Sequence, residues 1–266
     1  MKPWWGDFEF VPGQTLGWQI GPKALWITRA DGEWIIASQD GRDILDNRLT
    51  VAEAATELAG DDAEVKRFAV RDDSRSLRLV PALPDRPLIV NTAKPFFVPS
   101  KESATLYVSV PLWFRVLLAG SDAQLVDTAT VRPSDTWFGP DTLSGELCYA
   151  SRTSARLRVE NIPLRPHRAV STVRIRNSAA STLPLEKLKV PVEHLSLFAS
   201  EEGHLWTEPL TLEREEDSEK ASIRLVSRAA RGDTTTPVAP PRRKVSKGFV
   251  LGVFGRLFGT EAGGTA

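Results

Sequence analysis

The sequence predicts an all-β protein. Apolar and polar residues alternate with a period of two over many short runs, and Gly, Pro, Asn and Asp punctuate those runs at roughly 8–12-residue intervals. No strand–helix–strand alternation of the kind a parallel α/β sheet requires is present. The expected architecture is a small Trp-rich antiparallel β unit over residues 1–84 followed by an immunoglobulin-like β-sandwich over 85–226. A flexible linker, 227–247, then leads to a short apolar C-terminal helix, 248–259.

The first unit rests on its tryptophans. Trp18, Trp26 and Trp34 recur at the pace of short strands, and Asp31-Gly32 reads as a two-residue type I′ hairpin turn. Pairing about that turn sets Ile27 opposite Ile36 and Arg29 opposite Trp34, and aromatics at strand spacing are read here as core rather than as a stacking platform. Thr50 with Glu53 forms a capping-box pattern before VAEAATELA, and Gly60 sits where a C′ residue belongs, so a short surface helix is expected there. KRFAV and SLRLV are two further strands, and the proline-spaced PALPDRP closes the unit.

From Leu88 onward PLIVNTAKPFFVP, SATLYVSVPLWFRVLLA and AQLVDTATV are rich in β-branched and aromatic residues with prolines near their ends. Leu106, Val108 and Val110 share one face, and VSTVRIRN and LPLEKLKVP add later strands of the same kind.

A length of 266 residues suffices for a substantial core, and 34 basic residues balance 34 acidic ones, so no global charge excess points to nucleic acid. Cys148 is the sole cysteine, which excludes an intrachain disulfide. The amino terminus MKPWWGDFEF has no apolar signal region, and no run of about 18 apolar residues occurs, so a soluble cytoplasmic protein is expected.

Three blocks, VRPSDTWFGPDTLSGELCYASRT, IPLRPHRAVSTVRIRN and LSLFASEEGHLWTE, resemble the shared segments of an uncharacterised prokaryotic family catalogued as domain of unknown function 432. The resemblance covers most of the chain. It implies no activity and no assigned site residues.

Catalytic chemistry finds little support. Arg132, Asp135, Trp137, Cys148 and His167 lie in one region and form the candidate pocket of an alternative reading, a small-anion-binding protein or a hydrolase. No Gly-x-Ser-x-Gly elbow, P-loop or dinucleotide fingerprint accompanies them, and Cys148 sits in the strand-like GELCYAS, where a buried inert thiol is the ordinary state. His167, between Pro166 and Arg168, is expected to bond backbone. The histidines have no metal-binding spacing, so neither metal nor cofactor is expected.

The arginines are the sharper anomaly. Arg152, Arg156, Arg158, Arg165, Arg168, Arg174 and Arg176 stand against one acid, Glu160, between Leu147 and Leu185. Strand alternation in ARLRV and VRIRN turns Leu157, Val159, Val173 and Ile175 inward and Arg156, Arg158, Arg174 and Arg176 outward. Like charges on neighbouring strands need partners: either internal acids such as Glu213 and Glu215, or an external anion.

At the carboxyl end, GFVLGVFGRLFG would place four glycines in one helical stripe, with Phe249, Val250, Val253, Phe254, Leu257 and Phe258 around the remainder. So many glycines cannot hold an isolated helix in water, so it must dock in cis, on a partner protein or on an anionic membrane surface, with Arg242, Arg243 and Lys244 adjoining. The function expected is therefore that of a non-catalytic binding or adaptor protein, with its partner and oligomeric state left open.

Overall fold

The computed structural model describes residues 3–55, 62–71, 74–121, 123–139, 145–214, 221–225 (backbone alone) and 235–244. The expected C-terminal helix, with Phe249, Val250, Val253, Phe254, Leu257 and Phe258, lies outside them.

The chain is all-β. Among the described residues twenty strands follow one another: β1 (Gly6–Glu9), β2 (Thr15–Ile20), β3 (Lys23–Ala30), β4 (Glu33–Asp40), β5 (Leu49–Ala54), β6 (Glu64–Ala69), β7 (Ser76–Ala82), β8 (Leu88–Val98), β9 (Ser103–Pro111) and β10 (Trp113–Leu118). Then come β11 (Gln124–Ala129), β12 (Ser134–Phe138), β13 (Glu146–Ala150), β14 (Arg168–Asn177), β15 (Leu183–Val190), β16 (Leu197–Ala199), β17 (Leu205–Thr207), β18 (Leu210–Arg214), β19 (Ala221–Leu225) and β20 (Thr236–Ala239). Among the described residues only two 3-10 turns, Val159–Asn161 and Val192–His194, interrupt the strands.

Four sheets result. The Trp-rich segment forms an antiparallel meander ordered β5-β2-β3-β4-β6. Ile27 pairs with Ile36 and Arg29 with Trp34, as the hairpin turn requires. The turn itself is not type I′, because Gly32 takes a positive φ of 66° while Asp31 does not. Trp18 and Trp34 are buried, at 2% and 0% exposure, with Phe8 and Phe10 edge-on to them at 5.1 and 4.9 Å. Trp26 departs from the expectation. It sits at the opposite parity, half-buried on the outer face.

The expected surface helix is overturned at its start. Leu49–Ala54 is a strand on the edge of β2, with Thr50 Oγ1 accepting from the Gln19 amide and Ala52 held at φ 53° beside a register shift. A short isolated helix is marginal in water, whereas a sheet edge offers ready backbone partners.

β7 does not join this meander. It lies between β1 and β10 in a sheet ordered β1-β7-β10-β11, so strands from before and after Pro87 interleave. A third sheet runs β12-β13-β8-β15, and the largest runs β19-β18-β14-β17-β16-β20 with β9 on the other side of β14. Most pairs are antiparallel, but β13–β8, β14–β17 and β14–β18 are parallel. One buried apolar cluster extends from Trp4, Trp18 and Trp34 through Leu79, Leu88, Val108 and Phe114 to Leu188, Leu212 and Ala239.

The expected linker is partly strand. Residues 236–239 form β20 against β16, and Arg242 then grips Asp127 on β11 with two guanidinium nitrogens, at 2.5 and 2.8 Å, while its Nε donates to the Leu83 carbonyl. The Arg243 amide donates to the Glu193 carbonyl at 2.9 Å.

Candidate functional site

The seven arginines separate into three groups. Arg165 and Arg168 are structural pins. Arg168 donates from Nε to Ser109 Oγ at 2.6 Å and from Nη2 to the Ser109 carbonyl at 2.7 Å, and burial, then Arg165, pulls its pKa down to about 10. Arg165 donates to the Leu45 carbonyl at 2.6 Å and to Asn47 Oδ1 at 3.2 Å. Arg176 alternates outward from β14 as expected and meets Glu213 of β18 at 3.6 Å, the internal pairing foreseen for this face.

Arg152, Arg156, Arg158 and Arg174 are exposed, and none makes a side-chain hydrogen bond or ion pair among the described residues. Val173 and Ile175 are fully buried between the outward Arg174 and Arg176. ARLRV, by contrast, is not a strand. Ala155 bridges Thr92 of β8, Arg156 bridges Tyr107 of β9, and the chain then bends into the turn at Val159, leaving Leu157 58% exposed instead of buried.

A bulge in β8 explains that geometry. Lys187 of β15 pairs with Asn91 but Leu185 pairs with Phe96, so β8 spends extra residues between them. Pro95 lies in this stretch and has no N–H for a ladder. Residue 155 fills the space through its amide bond to the Asn91 carbonyl at 2.8 Å. Between the bulge and residues 155–158 lies an open groove of about 350 Å³ floored by Phe96, Leu106 and Ala155. Lys94, Arg156 and Arg158 surround it, and among the described residues no carboxylate lines it. Lys94 likewise makes no side-chain bond among the described residues. Sequence reasoning missed Lys94, although Lys-Pro inside a strand-like run is a bulge signal.

Of the alternative pocket residues, Arg132, Asp135, Trp137 and Cys148 lie on or beside the β12–β13 pair, and His167 lies elsewhere. Asp135 on β12 accepts from Arg132 at 3.1 Å and from Arg86 at 3.2 Å, and both guanidinium groups lie over the Tyr149 ring, 5.7 and 5.3 Å from its centroid. Tyr149 donates its hydroxyl to Asp85 at 2.9 Å and tilts against Trp113. Trp137 on the same strand is 46% exposed. Cys148 is fully buried on β13, and burial pushes its thiol up to about 11.

Among the described residues the His167 side chain makes no hydrogen bond to that knot. It is fully buried against Gly21, whose φ is 59°, and a Cβ built there would lie 2.0 Å from its Nδ1. The expected backbone bond is not made: neither ring nitrogen has a hydrogen-bond partner among the described residues, and burial, then Arg168, lowers its pKa to about 4.

A further buried group escaped sequence reasoning altogether. Glu193, 1% exposed, has one carboxylate oxygen without a partner and the other 3.5 Å from His194 Nε2. Burial raises its pKa to about 7. His194 Nδ1 in turn lies 3.0 Å from the Arg243 carbonyl, so this turn clasps the segment after β20. Among the described residues no group of His, Cys, Asp and Glu could hold a metal ion, and no helix is long and apolar enough to cross a membrane.

With this geometry in place, comparison with known proteins supplies the family. The family model described as "Protein of unknown function (DUF432)" matches residues 4–258, nearly the whole length. The chain belongs to the DUF432 family. No curated protein and no solved structure matches the chain significantly. The family assignment agrees with the resemblance carried by the three sequence blocks and brings no ligand or reaction to this DUF432 chain, so function rests on the site chemistry.

Proposed function

We propose that this DUF432 protein is a non-catalytic binding or adaptor protein that captures an acidic, apolar-bearing segment of a partner protein in the groove between the β8 bulge and residues 155–158. One arrangement carries the reading. Among the described residues, Lys94, Arg156 and Arg158 make no side-chain hydrogen bond or ion pair, and they surround an apolar floor that no described carboxylate lines. Three like charges held near one another raise the local potential, and an anion relieves it with charge-assisted hydrogen bonds, bidentate where guanidinium meets carboxylate. Leu157, exposed beside the groove, offers an apolar contact.

A partner protein fits better than a lipid surface. Arg242, counted in the sequence as part of a lipid-facing basic cluster, spends its charge on Asp127. In this reading the apolar segment Phe249 to Phe258 supplies a second contact to the same partner. The groups a hydrolase would need are engaged elsewhere: Asp135 by two guanidinium groups, Cys148 and His167 by burial.

The test is a photo-crosslinking amino acid at position 157 in cells that make the protein natively, with Val11, 64% exposed, as the control position. The expected result is a discrete adduct at 157 that is absent at 11 and lost in an R156E/R158E background. No adduct at 157, or one indifferent to charge reversal, overturns the proposal.

A further inference from the structure

The outer face of the five-stranded meander carries a second recess. It is an open cleft of about 550 Å³, within the range of small-molecule sites, and Trp26 stands in it. Register sets the surroundings of that ring. Trp26 on β3 pairs with Gly17 on β2 and with Ala37 on β4, so both cross-strand neighbours are small. A Cβ on Gly17 would lie only 3.5 Å from the indole, and Ala37 contributes a single methyl group. The half-buried ring lies against these small neighbours and keeps part of its surface open to the cleft.

Polar groups with both donor and acceptor capacity flank the indole. Gln19 and Gln39 lie one row further along the same face, on the two strands that flank β3. Gln19 donates to the Gly21 carbonyl at 2.5 Å, which leaves its carbonyl oxygen available, and the Gln39 side chain makes no hydrogen bond among the described residues. Gly41 closes in on the Pro22 carbonyl, with an N–H···O distance of 2.6 Å, and thereby fixes Arg42 at the rim.

Charge decides the class of ligand. Lys23, Arg42 and Arg48 line the cleft together with Asp40, Asp62 and Glu64, so formal charge sums to zero. Lys23 is held by Asp40 at 2.6 Å, Arg48 by Asp46 and Glu64 by Lys66. A phosphate or a carboxylate ligand finds no net attraction here. A neutral ligand with an apolar face to lie on the indole and hydroxyls around its edge meets each feature in turn. We infer that this cleft is a saccharide-binding site in which a sugar ring packs on Trp26 and its hydroxyls bond Gln19, Gln39 and Arg42.

The test is NMR titration of the full chain with maltohexaose, cellohexaose and the hexamer of N-acetylglucosamine, with adenosine as a competing neutral aromatic ligand. The Trp26 indole N–H is assigned through Trp26→Phe. Expected is a saturable shift of that resonance with at least one saccharide, insensitive to salt and unchanged by R156E/R158E. Affinity, followed in the variant by the Gln19 and Gln39 backbone amides, should fall about tenfold in Trp26→Ala, equivalent to about 1.4 kcal/mol. Gln39→Ala, which leaves the sheet's aromatic packing untouched, should weaken binding without moving the melting temperature. The inference is overturned if no saccharide shifts the resonance, if the Gln19 and Gln39 backbone amides titrate in Trp26→Ala with the affinity of the parent, if adenosine alone binds, or if affinity drops steeply with salt.

Discussion

His167 and Glu193 are buried titratable groups with opposite effects on stability. His167 has its pKa lowered from 6.5 to about 4, so the unfolded chain binds its proton first and stability is lost as pH falls between those values. Glu193 has its pKa raised from 4.5 to about 7, so the folded chain holds the extra proton and stability is lost as pH rises through that window. The two slopes oppose one another over the shared range. Glu193→Gln should therefore gain stability relative to the parent as pH rises from about 4.5 to about 7, by a few kcal/mol in all. Urea-unfolding midpoints across that window measure it, and a constant difference would show that Glu193 does not titrate there. Gly21→Ala forces a methyl group onto the His167 ring at a left-handed φ, and should destabilise by roughly 2–5 kcal/mol in the same assay. Cys148, buried with a thiol raised to about 11, should resist a thiol reagent at pH 8 in the native state and react fully once unfolded.

Among elements, the segment following residue 234 matters most. Among the described residues β20 pairs with β16 alone, so its docking depends on the anchors that follow it: Arg242 on Asp127, and the backbone and side chain of the Val192–His194 turn on Arg243. Asp127→Asn weakens the first anchor and should cost about 1–3 kcal/mol locally, because a part-buried guanidinium then loses its counter-charge. Hydrogen exchange should report lost protection at residues 238–239 with none lost in β3 and β4, and uniform loss across both would count against a local anchor. The β8 bulge is the other decisive element, since it turns a strand-like Arg156–Arg158 segment into the wall of a groove.

At the scale of the molecule, one apolar cluster unites residues from Trp4 to Ala239, and β7 inserts between β1 and β10. A fragment of residues 1–84 would leave Leu77 and Leu79, both fully buried in the whole chain, without the β10 strand that covers them. Such a fragment should show no cooperative thermal transition by circular dichroism, whereas the full chain should unfold in a single one. A cooperative transition in the fragment would separate the two halves energetically.

Much was legible in the residues themselves. Period-two alternation is a local consequence of strand geometry, so it set the all-β class, the Ile27–Ile36 register, the burial of Val173 and Ile175 and the outward turn of Arg174 and Arg176. The three sequence blocks likewise identified the family. Strand pairing between distant segments leaves no local trace, and there the tertiary structure decided. It placed β7 beside β10, sent Leu157 outward by running residue 155 into the β8 bulge, and made a strand of Thr50 to Glu53 where a helix cap was expected. It also sorted the arginines into pins, a pair and cations that no described side chain engages. Whether a guanidinium finds a carbonyl, a carboxylate or open water depends on which segment the fold brings to it, and that is fixed by packing over the whole chain rather than by neighbours in sequence.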